Sequence, residues 1–263
     1  MTIEKQKIIW EKEWKERAKF FPQKILESRF TKEAYNCLES FIDGREDKLI
    51  LELGCGTGRF CCLLGKDFPH THIIGLDISS SALQIASFLK ESLHIDNVEF
   101  ILGDLFNSPF VDNSFDVVFS EGVIEHFSLE ETPNYIQALR EMIRLVKRGG
   151  KVILGVPNWY SFPHTFYKWI LREVKKEYKY GYEKSFRYSE IKEMFSKFGL
   201  RNIEVLGFYP AHSFYRLAGS GFFRIFYYLG KTTDKILNIS PLFLKRILIK
   251  RYGFEIIVKG IKL

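Results

Sequence analysis

A doubly wound α/β fold, with helices on both faces of a largely parallel sheet, is predicted by three features of the sequence. Apolar runs of strand length alternate with helix-compatible runs from residue 48 to residue 157. Four of those runs close on an acid, at Glu52, Asp77, Asp104 and Glu121. The 263 residues are enough to bury one full core. Strands spaced by helices pair in parallel, because the chain must return along the sheet before the next strand starts.

The elements follow in chain order. Residues 3–21 carry Ile3, Trp10, Trp14, Ala18 and Phe21 among charges. Trp10 and Trp14, four residues apart, share one helix face, and Pro22 ends the segment. A second amphipathic helix covers about 30–43 and stops at Asp43-Gly44. The two make an N-terminal helical extension over residues 1–45, lying either over the mouth of the site or simply against the core. Strand one is read at 48–53, a helix at 58–67 and strand two at 72–77. A helix opened by a serine cap follows, then strand three at 97–102 and strand four at 115–121. A helix at 132–147 stops at Arg148-Gly149-Gly150, where basic residues meet the negative helix end and glycine turns the chain. Strand five is read at 151–157.

Beyond Pro157 the texture changes. Residues 158–187 are rich in aromatics and lysine; a helix from Tyr188 and strand six at 202–208 come next. An aromatic, basic helical stretch (214–251) precedes the last strand, at 252–263. The main domain is therefore 46–263, with insertions at 158–187 and 210–251.

The most informative stretch is LILELGCGTGR, residues 49–59. Gly54, Gly56 and Gly58 let a strand turn tightly and a ligand approach its backbone. The dinucleotide pattern G-x-G-x-x-G needs glycine at position 59, which is Arg59, and the phosphate loop ending in G-K-[ST] is absent. What remains, E-x-G-x-G-x-G with Asp77 about twenty residues on, resembles motif I of the class I S-adenosylmethionine-dependent methyltransferases, small-molecule type. The resemblance spans about 46–160 closely and the C-terminal third in outline. It implies a Rossmann-like seven-stranded sheet of order 3-2-1-4-5-7-6 with strand 7 antiparallel, and seven strand candidates are present.

The same resemblance implies S-adenosyl-L-methionine as cofactor, held by Glu52, Gly54, Cys55, Gly56, Gly58, Asp77, Ile78, Asp104, Leu105 and Glu121. Asp77 would accept charge-assisted hydrogen bonds from both ribose hydroxyls. The N–H groups near Gly58 and Arg59 would meet the methionine carboxylate. Asp104 would lie beside the adenine, with a plain helix-capping role as its alternative. Asp77 has a surface-turn alternative, and the contact of Glu52 is often indirect in the family.

After strand four comes SEGVIEHF (120–127). Ligands in open α/β sheets sit beyond the carboxyl ends of strands, so this loop borders the transferred methyl. Many small-molecule members of the family carry a similar sequence here. The N/D-P-P-Y/F sequence of exocyclic-amine nucleic-acid enzymes is absent, as is the cysteine pattern of cytosine C5 enzymes. His126 is the candidate general base, because imidazole titrates near neutrality; its alternative is a structural helix-start residue. Methyl transfer needs mainly alignment and desolvation, so a base is not obligatory. His164 and His212 either line the acceptor pocket or hold structure. That pocket is expected from the aromatics of 158–187 (Trp159, Tyr160, Phe162, Phe166, Trp169) and of 208–225 (Phe208, Tyr209, Phe214, Tyr215).

Composition sets the remaining bounds. No apolar run approaches a membrane span. The first residues are too charged for a signal peptide, and Cys37, Cys55, Cys61 and Cys62 form no C-x-x-C pair, so a cytoplasmic location without a metal site is expected. From Pro157 onward there are 20 Lys/Arg and 8 Asp/Glu, about +12, which leaves about −5 for the rest of the +7 total. That asymmetry reads as solubility, as affinity for an acidic partner or as a peripheral membrane contact. Three functions follow: a methyltransferase for a small molecule (an O-acceptor, apolar, aromatic or anionic), an RNA or protein methyltransferase using the basic third, or a non-catalytic S-adenosylmethionine-binding protein. Salt-sensitive RNA retention and product formation separate them.

Overall fold

The computed structural model describes residues 3–17, 23–173, 181–219 and 224–263. Ala18, Phe21 and Pro22, expected to close the first helix, lie outside the described residues, as do parts 174–180 and 220–223 of the insertions. The strands are β1 (Leu49–Leu53), β2 (His72–Asp77), β3 (Val98–Leu102), β4 (Phe115–Glu121), β5 (Val146–Pro157), β6 (Leu200–Phe208) and β7 (Glu255–Lys262). They form one sheet in the order β3-β2-β1-β4-β5-β7-β6. Strands β1 to β5 pair in parallel, and β7 runs antiparallel between β5 and β6. This is the expected Rossmann-like architecture and strand order.

Alternation along each strand divides the core in two. Leu51, Leu53, Val118 and Leu154 face one side, packing on α6 (Tyr135–Leu145) and α8 (Tyr188–Lys197). Ile50, Ile73, Val117 and Phe119 face the other, packing on α3 (Arg29–Glu39), α4 (Arg59–Asp67) and α5 (Ser80–Ser92). Because both faces are covered, the central strands read as continuous apolar runs. Cys61 and Cys62 are buried in the second layer as free thiols.

Several boundaries differ from expectation for local reasons. The 132–147 helix is shorter, because Asn134 caps it by accepting from the Ile136 amide. Val146 then turns extended and pairs with Phe115, so β5 starts earlier and is interrupted by a bulge before Lys151. The last strand starts at Glu255 rather than 252, because Tyr252 closes α11 (Leu242–Tyr252). The basic stretch is three helices, α9 (His212–Gly219), α10 (Arg224–Ile239) and α11. Within 158–187, a further helix, α7, covers Phe162–Glu173. At the N-terminus are α1 (Ile3–Arg17) and a short α2 (Gln23–Glu27), a stretch to which the sequence pattern assigned no element.

Candidate active site

Parallel strands leave their loops at one end of the sheet, and a cavity of about 470 Å³ lies there beyond the carboxyl ends of β1, β2 and β4. The glycine turn forms one wall. Gly54, Gly56 and Gly58 have φ of 78°, 52° and 68°, the left-handed region that a Cβ disfavours. Glu52, Gly54, Cys55, Gly56, Asp77, Ile78, Asp104, Leu105 and Glu121 all line the cavity. Gly58 does not. It caps α4 from behind the turn, where a Cβ would strike Phe100 at 2.5 Å.

Asp77 is the pivot of the turn. Its Oδ2 accepts from the Gly56 amide at 2.7 Å and its Oδ1 from the Ser79 amide at 2.9 Å. Burial raises its pKa, and these backbone donors oppose the rise. Asp104 combines both expected roles: it lines the cavity, and its Oδ1 accepts from the Phe106 amide at 2.9 Å, capping a turn. Glu52 is buried at the end of β1 and accepts from the Cys61 thiol at 2.9 Å. Burial pushes its carboxyl up to about 8, against the opposing effects of Cys61 and Arg59. Arg59, at the first position of α4, forms a 2.7 Å ion pair with Glu121.

The loop after β4 carries Glu125 and His126, both buried. Nδ1 of His126 lies 2.7 Å from the Tyr182 carbonyl. A carbonyl only accepts, so Nδ1 holds the proton and Nε2 of the neutral ring keeps a lone pair. Burial lowers the pKa of His126 despite the pull of Glu183. Trp10 meets the imidazole edge-on, with centroids 5.4 Å apart. Trp10 in turn stacks on Trp14 at 5.6 Å, and both line the cavity. A Cβ at Gly56 would lie 3.2 Å from the Trp14 ring. Helix α1 thus brings Trp10 and Trp14 against the glycine turn.

The acceptor side differs from expectation. None of the nine aromatics expected there lines the cavity. Trp159, Tyr160, Phe162, Phe166 and Trp169 point to solvent, and Phe208 and Tyr209 are core residues. The apolar walls come from Trp10, Phe30, Phe106 and Phe127. His164 is buried away from the cavity; its Nε2 donates to Glu183 Oε1 at 2.7 Å, and burial lowers its pKa to about 4. Lys168 contacts the same oxygen at 3.0 Å. Burial would raise the Glu183 carboxyl, but these two partners hold it well below the usual range. His212 does line the cavity, and burial lowers its pKa to about 3.

Glu183, Arg216 and Glu255 also line the cavity and were not singled out in the sequence. Glu255 stands opposite Pro157 in the β5–β7 pair. Burial pushes Glu125 and Glu255 well above the carboxylate range, and one oxygen of each, Oε2, has no hydrogen-bond partner. An acid opening the apolar run EIIV was the available signal for Glu255.

Comparison with known proteins agrees with this geometry. The family described as methyltransferase domain matches residues 45–199, more than half of the chain, and the chain belongs to it. It is an S-adenosylmethionine-dependent methyltransferase. Among similar curated proteins, the demethylmenaquinone methyltransferase of Listeria welshimeri is 28% identical over 181 residues, covering 62% of this chain and 73% of that protein. That of Staphylococcus aureus is 29% identical over 181 residues, covering 62% of this chain and 72% of that protein. In the Listeria monocytogenes protein the match spans 62% of its length. A Thermotoga maritima S-adenosylmethionine-dependent methyltransferase, described as a possible histamine N-methyltransferase, shares the fold with a TM-score of 0.65 at 20% identity, over 98% of this chain and all of that one.

Proposed function

We propose that this chain methylates a small molecule enclosed in the cavity. S-adenosylmethionine supplies an electrophilic methyl on a sulfonium. The residues present fit it by the chemistry of their donors and acceptors. Asp77 has lone pairs left for a ribose diol, Asp104 faces the same space, and the α4 N-terminus offers amides to a carboxylate without a side-chain cap. His126 accepts a proton at Nε2 from an acceptor hydroxyl. Trp10 and Trp14 exclude water above it.

The observation that carries the reading is convergence on one cavity. The glycine turn, His126 and α1 share one cavity of about 470 Å³, within the range for small ligands. The demethylmenaquinone relatives make an apolar aromatic ring the first acceptor class to test. Glu125 and Glu255, pushed by burial toward the neutral form and each with one unpartnered oxygen, suit a neutral acceptor with oxygen substituents better than an anion. Of the Lys and Arg residues in the basic C-terminal third, only Arg216 lines the cavity among the described residues, which weighs against an RNA or protein acceptor.

The test is turnover. The protein is incubated with S-adenosylmethionine and a panel of hydroxylated aromatic, quinol, phosphorylated and amine acceptors, and S-adenosylhomocysteine is measured. Product with the neutral aromatics is expected. Turnover confined to anionic acceptors or to RNA overturns the acceptor reading. Binding without any turnover favours the non-catalytic alternative.

A further inference from the structure

We propose that α10 and α11 dock this chain onto an anionic lipid bilayer surface. The pair lies beyond residues 45–199, the part that matches the methyltransferase family. Helix α11 has no buried residue. At the corner between the helices, Ile239, Leu242 and Phe243 are 75%, 65% and 68% exposed, and they flank Ser240 and Pro241. Three large apolar side chains at one protruding corner lose the hydrophobic contribution that burial would give.

Charge identifies the occupant. Residues 224–252 contain seven Lys/Arg and one acid, Asp234. Asp234 is turned inward, paired with Arg29 at 2.7 Å and accepting from the Tyr215 hydroxyl at 2.8 Å. The outward face of both helices therefore carries cations and no carboxylate. Among the described residues, none of the seven cations lies within ion-pair distance of an acid. Basic side chains around an exposed apolar corner match a bilayer whose headgroups are anionic and whose interior is apolar. A second copy of this chain would bring a like-charged face against it. Nucleic acid would match the charge, and the Phe243 ring offers a base one stacking face, but the exposed aliphatic side chains beside it, Ile239, Leu242 and Ile247, gain nothing from a nucleic acid and are buried by a bilayer. Among the described residues no helix is long and apolar enough to cross a membrane, so the helices lie in the interfacial plane.

The docking surface is coupled to the cavity through α9. His212 and Arg216 of α9 line the cavity. Tyr215 of the same helix packs so closely on Gly230 of α10 that a Cβ there would lie 2.7 Å from its ring. A bilayer held by α10 and α11 thus sits one helix away from the acceptor side.

The experiment is co-sedimentation of the full chain with vesicles of phosphatidylglycerol and phosphatidylcholine, and with vesicles of phosphatidylcholine alone, at rising salt. Calorimetric binding of S-adenosylmethionine serves as the folding control. Binding to the anionic vesicles only, weakening with salt, is expected. Leu242→Ser with Phe243→Ser, and separately Lys235→Glu with Arg246→Glu, should each reduce partitioning roughly tenfold or more, with cofactor binding unchanged. Failure to bind anionic vesicles while cofactor binding is intact overturns the proposal. So does equal binding by the variants, RNA retention in place of vesicle binding, or a dimer that the same substitutions dissolve. Loss of cofactor binding by the wild type would instead strike the methyltransferase reading.

Discussion

The Asp77 carboxylate accepts a 2.7 Å hydrogen bond from the Gly56 amide, tying the end of β2 to the glycine turn after β1. One side chain thereby fixes the shape of the cavity wall formed by the glycine turn. Asp77→Ala leaves the Gly56 and Ser79 amides without their acceptors, at a cost of about 1–3 kcal/mol of stability. We expect S-adenosylmethionine affinity to fall at least roughly tenfold, since a charge-assisted bond is removed. Calorimetry and urea unfolding measure the two effects; unchanged affinity would remove Asp77 from the cofactor site.

Glu52 gives a pH-dependent prediction. Its folded pKa of about 8 lies above the ordinary 4.5. The unfolded chain releases this proton as pH rises through 4.5, while the folded chain keeps it until about 8. Glu52 therefore costs stability progressively across that window. Glu52→Gln, which can still accept from Cys61, removes the cost. The stability of the variant relative to wild type should grow by a few kcal/mol between pH 5 and pH 8. Urea titrations at both pH values check this, and a constant difference would contradict it.

His126 separates a chemical from a structural role. Burial keeps its imidazole neutral below the ordinary histidine pKa, so the acid limb of kcat/KM should lie below pH ~6.5. His126→Asn should lower kcat by about 10²–10⁴ and abolish that limb, with S-adenosylmethionine binding retained. A variant that keeps kcat and the same pH profile would make His126 a positioning residue for Trp10 and Tyr182.

The buried trio of Glu183, His164 and Lys168 makes a stability prediction. Glu183→Gln removes the carboxylate that opposes the burial of the Lys168 amine, and about 3 kcal/mol of stability should be lost. Adding Lys168→Met should restore part of that loss. Unfolding free energies of the single and double variants provide the check, and strict additivity would show that the pair is not coupled.

Local rules made most of the donor half legible. Strand alternation and the conformational freedom of glycine marked residues 49–59 as a strand and a tight turn, and the family resemblance supplied the cofactor role expected of that turn and of Asp77. The aromatics expected for the acceptor pocket do not line the cavity. Trp159, Phe162 and Trp169 look like pocket residues in sequence, yet they face solvent, while Phe30 and Trp10 from the N-terminal helices provide the walls. Apolar character does not distinguish a cavity wall from an exposed helix face, because both are apolar surfaces not packed into the core. Glu183 and Glu255 were missed because a lone acid has no periodic signature.

The sequence by itself determined the alternation of strands and helices and the glycine turn with Asp77, because these depend on contacts within one βαβ unit, while the order of the seven strands came through the family resemblance. Only the tertiary structure decided what else lines the cavity. Trp10, Glu183, Arg216 and Glu255 come from positions spread over nearly the whole chain, and they meet because α1, α9 and β7 converge on the carboxyl ends of the central strands. Convergence of that kind is a property of packing between elements, which no local pattern records.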